Sequence, residues 1–246
     1  NLEFWETYNN QEVQPYLVQL DQHLANGDTK IDTVKTDSAD VKEAKPAVAE
    51  AKAEPSKLQL KGKAGAAKTE AEQIAAAKKH NPLLAVLQTI PGESLSLVGY
   101  AHVRDTADIN KMLHSQLAKQ ILPADLKLLW SAKPADGVNN KNVYELHALK
   151  ITTSDGRAPM EGDVVTDAKD QFDQFGRPEV SMTMNSDGAR QWAQLTKANI
   201  GKAVAIVLDG VVYSAPRVNQ EIDGGQSSIS GSFTIEDTKD LANTLK

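Results

Sequence analysis

Within its first residues the chain changes from alternating to helical spacing of apolar side chains. Leu2 and Phe4 alternate with Glu3 and Glu6, Trp5 adds a second aromatic ring and Thr7 ends the run. That pattern predicts a strand buried on one face and partly on the other. Pro15, Tyr16, Leu17, Leu20 and Leu24 then follow helical spacing up to the stop Asn26-Gly27-Asp28, which predicts a short amphipathic helix. From Thr29 to about Ala77 the pattern lapses into Ala, Lys, Glu, Asp and Thr, interrupted by Pro46 and Pro55. Such a segment buries too little surface to offset an ordering entropy of roughly 1 to 2 kcal/mol per residue. It is expected to be a linker or insertion, with a helical tendency around Thr69 to Lys79, and the other reading is a charged tether that recruits a partner.

Folded character resumes at Asn81-Pro82-Leu83-Leu84-Ala85-Val86-Leu87, ahead of the turn signal Pro91-Gly92. Leu97 to Val103 reads as a strand. Asp105 is a candidate N-cap, and Ile109, Met112, Leu113, Leu117 and Ile121 hold one face of a single helix until Pro123. Strands are predicted at Leu126 to Trp130 and Val143 to Ile151, joined across the polar stretch from Pro134 to Asn140. Val180, Met182 and Met184 alternate with Glu179, Ser181 and Thr183 as another strand. Ser186 is the expected cap of a helix with Ala189, Trp192, Ala193 and Leu195 on its apolar side.

The densest apolar run, Ala203 to Leu208, is followed by Asp209-Gly210 and a second strand that stops at Pro216, the pattern of a tight hairpin. Gly224-Gly225 marks a bend, Ile229 and Phe233 lead as a short strand to Thr234, and Thr234-Ile235-Glu236-Asp237 resembles a capping box. Ile235, Leu241, Ala242 and Leu245 give the last helix one buried side. Strands and helices mix without a repeating βαβ period. The expected fold class is α+β, a mostly antiparallel sheet with helices packed on one face, plus a low-complexity Ala/Lys/Glu-rich insertion.

Composition sharpens this in a few ways. The 246 residues suffice for one large or two small domains, but no aromatic residue occurs between Tyr16 and Tyr100, so the folded mass is expected to be smaller than the chain. A net charge of −6, without a basic cluster interleaved with aromatics, argues against nucleic acid as a partner. The absence of cysteine removes thiolate chemistry and disulfides and leaves the redox compartment open. No apolar run approaches the roughly 18 to 20 residues that span a bilayer. Opening on a strand and stopping after a helix, the sequence is expected to be a piece of something longer.

Candidate chemistry is sparse. His102, His114 and His147 lack the i, i+4 spacing of a helical zinc pair, and no Cys completes a site. Asp167, Asp170 and Asp173 recur every third residue, unlike the alternate-residue spacing of a calcium loop, and are expected in a solvated loop. In Gly225-Gln226-Ser227-Ser228-Ile229 the isoleucine occupies the place of the second glycine of a nucleophile elbow. Gly201-Lys202-Ala203 lacks both a preceding glycine-rich loop and the Ser or Thr that would bind magnesium. Neither a catalytic residue nor a cofactor or metal site is expected.

Several short motifs are nevertheless familiar in their order: Gly162-Asp163-Val164-Val165-Thr166-Asp167-Ala168, Gly176-Arg177-Pro178-Glu179-Val180, Thr196 with Asn199-Ile200-Gly201-Lys202, and Ala205-Ile206-Val207-Leu208-Asp209. They continue with Ser214-Ala215-Pro216, Ile222-Asp223-Gly224-Gly225, Ile229-Ser230-Gly231-Ser232-Phe233-Thr234, and Glu236-Asp237 with Leu241-Ala242. Together they resemble the first periplasmic region of SecD, a protein-export translocase subunit sometimes fused to SecF. The opening Leu2-Glu3-Phe4-Trp5-Glu6 looks like the SecD segment that joins base to head. The match is strong from about Pro159 to Lys246, patchy from Pro82 to Ile151 and absent from Thr29 to Ala77.

The resemblance implies a division into 1–28, a strand and helix joining base to head, 29–80, a flexible lineage-specific insertion, and 81–246, an α+β periplasmic head. It implies a non-enzymatic head that contacts unfolded preprotein and assists proton-gradient-driven export, in the periplasmic part of an inner-membrane protein. SecF and the SecYEG channel are then partners through the full-length protein, and membrane contact runs only through transmembrane helices absent from this chain. Glu6, Thr7 and Leu245 become hinge candidates. Ser214, Pro216, Arg217, Glu221, Gly224 and Gly225 become candidates for a loop touching the client or the base. A purely structural role for the glycines stands beside that reading. The alternative function is a free-standing periplasmic ligand-binding or scaffold domain of similar fold.

Overall fold

The computed structural model describes residues 1–28, 77, 79–135, 142–230 and 233–245. The segment expected to be an insertion falls almost wholly outside the described residues. Eleven strands and five α-helices follow in chain order among the described residues: β1 (Leu2–Thr7), α1 (Asn10–Ala25), β2 (Gln88–Thr89), β3 (Leu97–His102), α2 (Val103–Leu113), α3 (Gln116–Ile121), β4 (Leu126–Pro134) and β5 (Val143–Lys150). Then come β6 (Met160–Glu161), a 3-10 turn (Gly162–Val164), β7 (Val165–Phe172), β8 (Pro178–Met184), α4 (Ser186–Ala198), β9 (Val204–Leu208), β10 (Val211–Ser214), β11 (Gln226–Ser230) and α5 (Ile235–Thr244).

The larger sheet closes on itself. Its order is β2-β3-β5-β4-β10-β9-β1-β6, and β5 also pairs with β1, so that β1, β5, β4, β10 and β9 form a five-stranded barrel. All its pairings are antiparallel except β4 with β10, where Val212 lies opposite Ser131. β9 carries an uninterrupted apolar run because both of its faces are buried. Ala205 and Val207 point into the barrel with Trp5, Leu149 and Val212, filling an interior too narrow for anything but side chains. Val204, Ile206 and Leu208 point outward, where they join Leu2 and Phe4.

Two further cores flank the barrel. On one side, Val13, Leu17 and Leu20 of α1, Ile109 and Leu113 of α2, and Leu117 and Ile121 of α3 pack with Leu83 and Leu87 against Leu146 and Ala148 of β5. Buried Asp21 accepts from the Leu83 and Leu84 amides at 2.7 and 3.1 Å, fixing the 81–87 segment to α1. On the other side, the three-stranded sheet β11-β8-β7 supplies Ala168, Val180, Met182, Met184 and Ile229 to a core shared with Trp192 and Leu195 of α4 and Leu241 of α5. β1 lies between two of these cores, with Phe4 in the second flank and Trp5 in the barrel.

The α+β class is thus found, but the expected arrangement is only partly matched. The main sheet is a mixed closed barrel, and helices lie on two sides of it rather than on one face. The helix expected to run to Pro123 breaks at His114, because Ser115 caps a second helix by accepting from the Ala118 amide at 3.0 Å. The cap of the first helix is His102 rather than Asp105, and that of α4 is Asn185 rather than Ser186. The acidic run Asp167, Asp170, Asp173 lies not in a loop but mostly on β7, with Asp173 opening the turn. A register shift between Val165 and Asp167 brings Ala168 into the core and leaves the polar side chains outside.

The Asp209-Gly210 hairpin stands as read, with φ of 49° and 84° at its two turn residues, the pair of positive values that a two-residue turn of matching twist requires. Thr234 and Asp237 form the reciprocal cap of α5, bonding at 3.2 and 2.8 Å.

Candidate functional site

Most of the sequence-nominated residues gather at the start of β9. On one edge, Glu6 is paired with Val204, and the buried Thr7 hydroxyl donates to the Ala203 carbonyl at 2.8 Å. On the other edge, the Val204 amide donates to the Pro216 carbonyl at 3.1 Å, and Arg217 forms an isolated bridge with Ala203. Candidate hinge and candidate loop therefore meet across two residues, Ala203 and Val204. Ser214 is close by, at the end of β10 opposite Ile206.

The segment 215–225 is a strap tied along its length. Val218 donates to the Lys202 carbonyl and accepts from the Gly201 amide, both at 2.8 Å. The fully buried Thr196 hydroxyl accepts from the Ile222 amide at 3.0 Å while donating to the Trp192 carbonyl at 2.7 Å. Exposed Glu221 meets Lys197 at 3.1 Å. The far end is closed by Gly225, whose carbonyl accepts from Met184 N–H at 2.8 Å. Its φ is 68°, and a Cβ there would lie 2.8 Å from Ala189 Cβ, so both conformation and space call for glycine. Gly224, at φ 81°, has open space around it. Leu245 lies apart from this cluster, 4% exposed in the core with Leu241.

Beside the β9 start is an open cleft of about 460 Å³ lined by Thr7, Asn9, Gln11, Glu12, Glu93, Leu95, Gly201 and Lys202. Its wall is prearranged. Asn9 caps α1 by accepting from Gln11 N–H at 3.0 Å, its backbone N–H donates to Glu12 at 2.8 Å, and its side-chain amide donates to Glu93 at 3.0 Å. The cleft lies between the start of α1, the loop before β3 and the turn before β9, with Thr7 of β1 in its lining.

One row of side chains has the order of a hydrolytic triad without its access. Ser96 Oγ lies 3.0 Å from His147 Nδ1, and His147 Nε2 lies 3.3 Å from Glu145. Ser96 is only 2% exposed, so no substrate carbonyl reaches its hydroxyl, and the row braces β5 against the loop before β3. Burial, then the Glu145 charge, pushes the Tyr100 phenol up on the neighbouring strand. Among the described residues no group of three or more His, Cys, Asp or Glu could hold a metal.

Sequence reasoning missed the anchors Ala203, Thr196 and Val218, whose partners are distant along the chain. It also passed over the β7–β8 turn, where Phe172 and Phe175 are the most exposed large apolar side chains described. A signal was available: two aromatics around Asp173 and Gly176, in a stretch with no other use for them.

With this geometry in view, the class of the C-terminal part is defined by a family model described as SecDF, P1 head subdomain, which matches residues 142–246. The chain's homologues are SecD and SecDF protein translocase subunits, and the resemblance read from the motifs is borne out. The SecD of Rhodothermus marinus is 42% identical over 175 residues, 71% of this chain and 27% of that protein. The SecDF of Thermus thermophilus is 46% identical over 106 residues, 43% of this chain and 14% of that protein. A crystal structure of SecDF from the same organism, described as a translocon-associated membrane protein, is 45% identical over 35% of this chain and 12% of its own, with a TM-score of 0.32 that adds nothing to the sequence match. The chain spans about a quarter of the length of the first SecD relatives it matches. No described helix is long and apolar enough to cross a membrane.

Proposed function

We propose that this chain is the non-enzymatic periplasmic region of a SecD-type inner-membrane translocase subunit, whose head contacts emerging preprotein and so assists proton-gradient-driven export. The observation that carries the reading is the head-subdomain match of residues 142–246, which covers the strap and the β7–β8 sheet. In the proposal, residues 1–28 join base to head, 29–80 are a flexible insertion and 81–246 form the head. SecF and the SecYEG channel are partners through the full-length protein.

Glu6 and Thr7 fit a hinge because they sit where β1 leaves β9, with α1 following directly. The strap from Ser214 to Gly225 fits a contact loop of low mobility. Its main chain is committed to Lys202, Thr196 and Met184, so contacts would come from the exposed Arg217 and Glu221 side chains. Leu245, the third hinge candidate, is packed into the core with Leu241, so a hinge there would have to turn about a buried side chain.

The test is photo-crosslinking in membranes carrying the full-length protein and a stalled export substrate, with the crosslinker at Arg217, Glu221 or, as a buried control, Leu195. Crosslinks from the strap and none from Leu195 are expected. If no surface position of the head reaches the substrate while other periplasmic segments do, the head is a spacer and the proposal fails.

A further inference from the structure

The β7–β8 hairpin ends in a turn organised by one carboxylate. Asp173 accepts from the backbone N–H groups of Phe175 and Arg177 and from Arg177 Nε, each at 2.8 Å. Asp173 N–H donates to the Arg177 carbonyl at 2.9 Å and Gly176 N–H to the Asp173 carbonyl at 3.0 Å, with Gly176 at φ 76°. The Arg177 guanidinium lies 5.2 Å from the Phe175 ring centroid. The Arg177 backbone N–H above all, with the Arg177 side chain and Phe175 N–H, holds the Asp173 carboxyl below its usual range.

This turn is thus shaped in the free protein, and what it displays is apolar: Phe172 is 58% and Phe175 72% exposed. Rigid aromatics presented at low entropic cost are the side chains that most often anchor a protein interface. Their surroundings narrow the partner. Between 165 and 184 the hairpin carries Asp167, Asp170, Asp173 and Glu179 against Lys169 and Arg177. Asp167 is paired with Lys169 at 2.8 Å and Asp173 with Arg177, which leaves the excess charge negative. Among the described residues β8 is the only strand paired with β7, so the other edge of β7 has no strand partner along the run that leads to Phe172, while α5 packs against β7. An acidic, aromatic-tipped edge complements a cationic and apolar extended chain and repels an anionic lipid surface.

We propose that Phe172 and Phe175, with the acidic unpaired edge of β7, form a docking surface for extended polypeptide segments that combine large apolar with basic side chains. This rests on the reading of the head as a polypeptide-contacting domain and adds a second place of contact beside the strap. Charged side chains along β7 also guard the edge against pairing with another copy of the chain.

The experiment uses the whole 246-residue chain and three fluorescein-labelled unstructured peptides of one length, rich in Leu and Lys, in Leu and Glu, or in Ser and Lys, followed by fluorescence anisotropy. The Leu/Lys peptide is expected to bind best, several-fold more weakly at high salt, with the Phe172→Ser/Phe175→Ser double variant at least tenfold weaker and an Ile200→Ser/Ile235→Ser control unchanged. An unchanged affinity in a double variant of native circular dichroism overturns this site while leaving the head a polypeptide binder. Failure of the unaltered chain to bind any peptide removes that reading and this site together. Binding to anionic vesicles that is lost in the double variant, without peptide binding, assigns the tip to membranes and overturns the proposal. Should the double variant misfold, photo-crosslinkers placed singly at 172 and at 181 decide, and equal Leu/Lys-peptide crosslinking from both overturns it.

Discussion

Phe4 of β1 and Trp192 of α4 meet edge to face, with ring centroids 5.1 Å apart and planes at 63°. The contact joins the barrel to the core under the three-stranded sheet, because Phe4 is fully buried next to Met160 and Ile206 while Trp192 packs with Val180, Met182 and Leu195. Truncating either ring leaves a cavity, so Phe4→Ala and Trp192→Ala should each cost about 3 to 5 kcal/mol. A double-mutant cycle should return a coupling of roughly 0.5 to 1.5 kcal/mol, the usual size for such a pair. Trp192→Phe is the informative control. Trp192 Nε1 is buried with no hydrogen-bond partner among the described residues, so replacing indole by phenyl also removes an unsatisfied donor and should cost far less than Trp192→Ala. Urea unfolding of the four variants measures this, and additive losses at Phe4 and Trp192 would refute the pairing.

The strap makes a second prediction through two adjacent glycines. Gly224 and Gly225 both have positive φ, 81° and 68°, so alanine at either should cost about 1 to 2 kcal/mol from the backbone alone. Only at Gly225 does the new Cβ also meet a neighbour, 2.8 Å from Ala189 Cβ and 3.3 Å from the Met184 carbonyl, with nothing within 4 Å at Gly224. Gly225→Ala is therefore expected to lower the melting temperature clearly more than Gly224→Ala and to speed amide exchange at Met184, which donates to the Gly225 carbonyl. Equal effects at the two sites would mean that α4 and the strap yield to each other freely.

How far this was legible in the sequence follows from the range of each interaction. β9 and its hairpin were readable because apolar density and the Asp209-Gly210 turn are local. Barrel closure was not: it depends on Thr7 lying opposite Leu149 and Val212 opposite Ser131, pairings between distant parts of the chain that no window contains. β7 was hidden because its register shift breaks the alternation and only Ala168 along it is buried. The break in the second helix follows from a serine cap competing with a continuous apolar face, since Leu117 and Ile121 keep their burial after the break. For the candidate site, the motifs located the strap, and the fold added that Thr7 and Arg217 converge on Ala203.

Acid should loosen the attachment of α5 to the barrel. Asp237 closes the capping box with Thr234 and is ion-paired with Lys133 of β4. Burial raises its pKa, but the hydrogen bonds from Lys133 and Thr234 and the Lys133 charge outweigh it and leave the carboxyl lowered in the folded protein. The sign follows from linkage: a folded pKa below the unfolded one gives stability that is fully present above the unfolded value, about 3.9. That stability disappears as the pH falls below it and through the folded value. Asp237→Asn keeps a capping oxygen and loses the charge, so at pH 7 it should cost about 1 kcal/mol or less. The difference from the unaltered chain should begin to shrink as the pH falls below the unfolded value and keep shrinking toward the folded one. Asp155 and Asp173, also lowered, are present in both proteins and cancel in that difference. Urea midpoints measured at pH 7, 5, 4 and 3 supply it directly, and a gap that stays constant across the series would show that the Asp237 charge does not fasten α5 to β4.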